Sequence, residues 1–401
     1  MGATVDPYLI DWLDLVFRWF HVIAAIVWIG TSFYFVALDN HLRPPADVGD
    51  AKRGVGGESW EIHGGGFYRV DKYRVAPPRL PEVLHWFKWE AYTTWLSGFA
   101  LLVVLYYFNA DTFLVDPGVL DLSTAAAIAI SVALLGVAWV VYDMLCRVLR
   151  SELLLAASLL GLTTLAAWGS TELFAPRAAF LQVGAMLGTI MVANVFFVII
   201  PAQRGLVRAT EAWHEPDPAP GLQAKRRSVH NNYLTLPVVF AMLSNHFPTA
   251  YGHSYSWLVL VALMAIGAWI RLFFNLRHAG RTVWWIPVTA ALGIAVVAIA
   301  IRPAGGSGSR VATGAVSVSF SRAHTIVQER CVPCHSSHPT KVAAAPLGIK
   351  LDTAAEIHSQ AAAIQRVAVE STTMPLGNAT GMTQDERDLL GAWIRQAARI
   401  K

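Results

Sequence analysis

Apolar residues in this chain come in long runs without formal charge. Stretches free of Asp, Glu, Lys and Arg cover Trp19–Leu38, Ala91–Ala110, Leu122–Tyr142, Leu153–Thr171, Ala178–Gln203 and Thr282–Ile301. Each is near the length of about 20 residues that a helix needs to cross a bilayer core. A further uncharged stretch, Ser228–Ile270, is about twice that length and is broken in its middle by "NHFPTAYGHS". It predicts two helices joined by a turn. The pattern as a whole predicts eight spans, which puts both termini on one side.

Past the eighth run the pattern changes. "RPAGGSGSRVATG" reads as a flexible Gly and Ser tether over 302–314. Residues 315–401 then read as a small soluble module. It has a helix around "SRAHTIVQER", a long irregular middle, and a last helix opened by the capping box "TQDE", Thr383 to Glu386. The expected fold is all-α: an eight-helix transmembrane bundle over 1–301, the tether, and the helical module. One exception is expected in the first loop, where "WEIH", three glycines and "FYRV" predict a short hairpin.

Composition agrees with the runs. The chain is 55% hydrophobic and only 14% charged, which excludes an ordinary soluble protein. The net charge of +4 forms no dense basic stripe, so nucleic acid is not an expected partner. The cations instead lie between the runs. They fill the first, third, fifth and seventh connections, for example Arg43, Arg147, Arg204 and Arg277, whereas the second, fourth and sixth carry Arg177 alone. Because Lys and Arg accumulate in cytoplasmic loops, both termini and the module are expected outside, in the bacterial periplasm. The start "VDPYLIDWLD" has no cleavable signal pattern, so the first run is expected to remain as a helix.

Of three cysteines, Cys146 ends an apolar run and reads as a buried thiol, while two form Cys331-Val-Pro-Cys334-His335. C-x-x-C-H is the pattern of covalent haem attachment: two thioethers hold the vinyl edges and the adjacent imidazole ligates iron. A four-ligand zinc site would need a second ligand pair at suitable spacing. The opposite axial ligand is expected downstream at Met374, in "TTMPLG", with Met382 and His358 as rivals. A thioether there raises the haem potential, as suits an electron acceptor. The segment 315–401 resembles a small class I cytochrome c, and that resemblance too implies a periplasmic module.

Within the runs, His21 in the first and Asn245–His246 at the end of the sixth are polar groups of the kind that mark function in a membrane. His21 and His246 are read as ligands of a non-covalent haem b, against the plainer reading of satisfied histidines. In the first loop, His63, Arg69, Lys72, Arg74 and His85 cluster among aromatics. Basic groups beside flat rings suit a planar anion, against the plainer reading of interfacial anchors.

Three phrases in order, "FHVIAAIVWIGTSFYFVALDNHL", "IHGGGFYRVDKYRVAPPRLPEVLHWFKWEAYTTWLSGFALL" and "IVQERCVPCHSSHPT", resemble the bacterial membrane-bound urate oxidases with a C-terminal cytochrome c. The resemblance covers essentially the whole chain. It implies oxidation of urate to 5-hydroxyisourate, with electrons leaving through the c haem to an acceptor such as a cytochrome oxidase and no hydrogen peroxide made. On that reading Arg69 or Arg74 holds the anion, His85 or His63 takes the proton, and Trp86 or Trp89 offers a stacking surface. The alternative is a non-catalytic or quinol-linked membrane cytochrome that only conducts electrons.

Overall fold

The structure is a computed structural model and describes residues 7–302, 318–342, 345–370 and 373–396. The chain is mostly helical, and each apolar run lies in a helix. The first is α1 (Pro7–His41). A hairpin follows, β1 (Val55–His63) and β2 (Gly66–Tyr73), antiparallel with His63 opposite Gly66. Its turn uses Gly64 and Gly65, both at positive φ, a conformation that costs glycine nothing.

Next come α2 (Trp89–Leu101), α3 (Thr124–Val148), α4 (Glu152–Leu173) and α5 (Pro176–Glu211). The bundle ends with α6 (Pro218–Leu243), α7 (Ser256–His278) and α8 (Trp285–Ala300). Sequence-coded caps start several of them. Ser123 accepts from Ala126 N, Ser151 from Leu154 N, and Asp217 from Ala219 N with Pro218 at the first helical position. "NHFPTAYGHS" forms a 3-10 turn over Ser244–His246 and a short helical turn before α7.

Five helices, α1, α3, α4, α5 and α7, are long and apolar enough to cross a membrane. The other three differ for visible reasons. In α2 the α-helical part is short and passes into a π-helical stretch, Leu102–Tyr107. The first half of α6 is polar, "PAPGLQAKRRSVHNN", and α8 has 16 residues. Large apolar side chains point outward along the bundle, among them Trp19, Ile26, Leu165 and Val296, as expected where the surrounding solvent is lipid. The buried core runs through α2 to α7, with Tyr142, Phe180, Met186 and Leu260 inside.

The tether expected over 302–314 lies, beyond Arg302, outside the described residues. The C-terminal module has its own core of Ile326, Val327, Leu351, Ile357, Leu390 and Trp393. It is framed by α9 (Phe320–Arg330) and α10 (Gln384–Arg395). The Thr383–Glu386 capping box forms, with Thr383 Oγ1 accepting from Glu386 N and Thr383 N donating to Glu386. The hairpin and the module lie at opposite ends of the bundle. The hairpin joins the end of α1 to the start of α2, and the module's turn Leu376–Asn378 packs on the helical turn Ala110–Phe113 beyond α2. From Trp89 to Tyr107 the helical path is about 28 Å at 1.5 Å per residue.

Candidate functional site

The C-x-x-C-H segment occupies the turn that ends α9. Cys334 N and His335 N both donate to Cys331 O, at 3.1 and 2.9 Å, which brings the two sulfurs and the imidazole onto one turn. His335 Nδ1 lies 3.2 Å from Ile349 O. An N–H donated there leaves Nε2 as the lone-pair nitrogen, the arrangement that orients a metal-binding histidine. Met374 is half-buried and packs against the same core as Cys331. Its backbone is held at both ends: Met374 N donates to Val367 O at 2.8 Å, and Arg387 Nη1 donates to Met374 O at 2.7 Å.

Of the rivals, Met382 is buried in the core and His358 is exposed. Burial, with Cys334 close by, pushes the free Cys331 thiol up to about 12, so this cysteine is no ready thiolate. Among the described residues no group of three or more His, Cys, Asp or Glu is arranged to hold a metal ion, so the zinc alternative lacks its second ligand pair. These residues fit a covalent haem.

His21 Nδ1 donates to Thr94 O at 2.9 Å and lies 3.2 Å from Ser97 Oγ on α2. It therefore also has Nε2 as its remaining nitrogen. His246 stands exposed on the Ser244–His246 turn, and no hydrogen bond or ring contact joins it to His21. The pair fits a bis-histidine haem b only in part.

The first-loop residues lie on the hairpin and on the segment between it and α2. Arg69, expected to hold an anion, is already ringed by carboxylates. It pairs with Asp50, with Glu58 at 2.9 Å and with Asp71 at 3.0 Å. The Arg69 bond in turn holds the Asp50 carboxyl below its usual range. A guanidinium so surrounded is engaged within the hairpin, whereas the sequence reading expected it to face an anion. Arg74 is exposed and donates to Ala51 O at 3.2 Å. His63 is exposed at the hairpin turn, and exposed His85 stands edge-on to Phe87. Lys88 lies 5.7 Å from the ring centroids of both Trp86 and Trp89.

Two buried polar clusters inside the bundle went unread in the sequence, and both are fed by "RRSVHNNYLTLP" of α6. The first joins α3, α5 and α6. Arg227 pairs with Asp143 at 2.5 Å and donates to Asn194 Oδ1. Asn194 donates to Tyr142 Oη and Asn231 Oδ1, and Tyr142 Oη lies 2.8 Å from His230 Nδ1. His230 Nε2 completes the chain on Glu152.

The second cluster joins α1, α6 and α7. Asn232 Oδ1 accepts from Arg271 Nε at 2.8 Å and from Asn275 Nδ2 at 3.1 Å, while Asn232 Nδ2 donates to Ser32 O at 3.2 Å. Arg271 lies over the Phe33 ring at 3.8 Å. The signal was available: "WIRLFFNLRH" keeps its helical apolar pattern past Arg271, so that arginine belongs to the helix and not to the loop.

Compared with known families, residues 7–302 match the family model described as urate oxidase N-terminal. No curated protein and no solved structure matches the chain.

Proposed function

The chain belongs to the urate oxidase N-terminal family, and from that premise we propose that it is a membrane-bound urate oxidase with its own cytochrome. In this reading all eight helices of the bundle cross the bacterial inner membrane, and both termini and the module face the periplasm. Urate and water give 5-hydroxyisourate, two protons and two electrons. The chain must therefore hold a planar anion, accept protons and give the electrons an exit that makes no hydrogen peroxide.

The observation that carries the reading is the family match over residues 7–302, followed in the same chain by a C-x-x-C-H turn. Cys331 and Cys334 would tether the haem, and His335 and Met374 would be the residues that ligate it. The bound haem supplies one-electron acceptance at a potential that a thioether ligand raises. The residues around it do the rest: Ile349 O orients His335, and Arg387 pins the Met374 backbone. The module's contact with Ala110–Phe113 supports electron delivery from the bundle, and a cytochrome oxidase is the fitting acceptor beyond it. His85 and His63 stay in the proposal as proton acceptors and Arg74 as a guide for the anion, all at the hairpin end. A second, non-covalent haem with His21 as one ligand would offer a place for the second electron.

The test is anaerobic addition of urate to the oxidised, detergent-solubilised protein while the haem bands are watched. Reduction of two haem equivalents per urate, with no peroxide formed in air, is the expected result. Reduction by quinol alone would replace the enzyme with an electron conduit. A pyridine haemochrome measurement on the same sample counts c and b haems.

A further inference from the structure

Arg271 is an arginine that the protein has not neutralised. Only 3% of its surface is exposed, and among the described residues no carboxylate pairs with it. A buried cation without a counter-charge is unfavourable and persists where function requires it. Its Nε is used by Asn232, but its Nη2 is buried without a hydrogen-bond partner. One helical turn further along α7, Asn275 Oδ1 is buried and unpartnered too, and at the end of the helix so is His278 Nδ1. Of the eight such atoms among the described residues, three fall in this one cluster.

The chemistry of those three atoms specifies a ligand. An unspent guanidinium N–H asks for an anionic acceptor. An amide oxygen on the same helix face asks for an N–H donor. A ring nitrogen in reach of a proton asks for a group that gives one up. Phe33 lies beneath the guanidinium, with its ring centroid 3.8 Å from Cζ, and backs it from the side of α1. At the same end of the helices Lys72 and Lys225 both pair with Asp39, two cations for one carboxylate, which leaves the approach positive.

We infer that Arg271, Asn275 and His278, braced by Asn232 and backed by Phe33, form the binding site for a planar heterocyclic anion that carries ring N–H groups. Arg271 takes the anionic edge and Asn275 Oδ1 an N–H edge. Asn232 is a positioning residue, since its amide bonds Arg271, Asn275 and Ser32 at once. Naming urate as that anion rests on the function proposed above, while the site itself rests on its own geometry.

The experiment is calorimetric binding to the full chain with its haem reduced beforehand, so that nothing turns over. The probes are urate, xanthine and nicotinate. Arg271→Gln should weaken binding about 100-fold, the order that a charge-assisted hydrogen bond supplies. Asn275→Asp guards against simple misfolding, because it hands Arg271 a counter-charge. It should keep or raise the melting temperature and still lose the anion by a similar factor. Asn232→Ala should weaken binding less, and without changing which probe is preferred.

Urate binding that survives both Arg271→Gln and Asn275→Asp in folded protein overturns the site and leaves the proposed function standing. Arg271-dependent binding of xanthine without urate upholds the site and overturns the proposed function, whereas binding of nicotinate, which carries no ring N–H, in place of both overturns the site. Binding of none of the three probes overturns the site.

Discussion

Two buried arginines, on the consecutive helices α6 and α7, have been treated in opposite ways. Arg227 has Asp143 at 2.5 Å, Asn194 at 3.2 Å and the faces of Trp139 and Tyr142 nearby, so its charge and donors are used within the fold. Arg271 has an amide and a phenyl ring, and no carboxylate. Both are buried, Arg227 on α6 and Arg271 on α7 against it. The contrast shows that burial of a charge does not by itself mark a site. What marks one is a charge whose partner is missing from the chain, since a paired charge already stabilises the structure it sits in.

The contrast is broken most forcefully at Asp143. Asp143→Ala leaves Arg227 buried and uncompensated, which costs about 3–5 kcal/mol. A thermal melt in detergent should show a large fall. Arg271→Met should do the reverse or nothing, since it removes a charge that was never paired. Equal losses from the two variants would mean that both arginines are structural.

A smaller effect is expected at Tyr142. Tyr142→Phe removes the hydroxyl that links His230 to Asn194 and leaves buried groups unsatisfied, at about 1–3 kcal/mol. The loss should appear as stability, with urate-dependent haem reduction unchanged in a sample that remains folded.

The smallest effect concerns the hairpin. Arg69 holds the Asp50 carboxyl below its usual range. A carboxyl lowered in the folded state stabilises above its unfolded value of about 4, and that stabilisation is lost as pH falls through the folded value. Amide exchange in β1 and β2 should therefore stay slow from neutral pH to about 4 and quicken below it. Asp50→Asn should exchange faster at neutral pH and show no such step.

The sequence made some of this visible and hid the rest for physical reasons. Charge-free runs fix where helices lie because a run of twenty apolar residues has few other options, and α1 to α8 sit where the runs are. The hairpin turn was legible in Gly64 and Gly65, and the last helix start in Thr383 and Glu386, because each is decided by neighbours within four residues. The C-x-x-C-H turn at Cys331–His335 is equally local. The carboxylate partners of Arg69 were not legible, because Asp50 lies 19 residues away and sequence order says nothing about such a pairing. Arg271 was hidden by a different confusion. A cation at the end of an apolar run looks like a loop anchor, and only its neighbours Asn232 and Phe33, contributed by two other helices, reveal that it lies within the bundle.

The closeness of α1 and α2 depends on a residue with no side chain. A methyl group at Gly98 would stand 2.8 Å from His21 Cε1, inside contact distance. The imidazole cannot simply swing aside, because Thr94 O and Ser97 Oγ already hold it. Position 98 thus works as a mould: any larger residue there must either evict the histidine from its pose or wedge α1 away from α2.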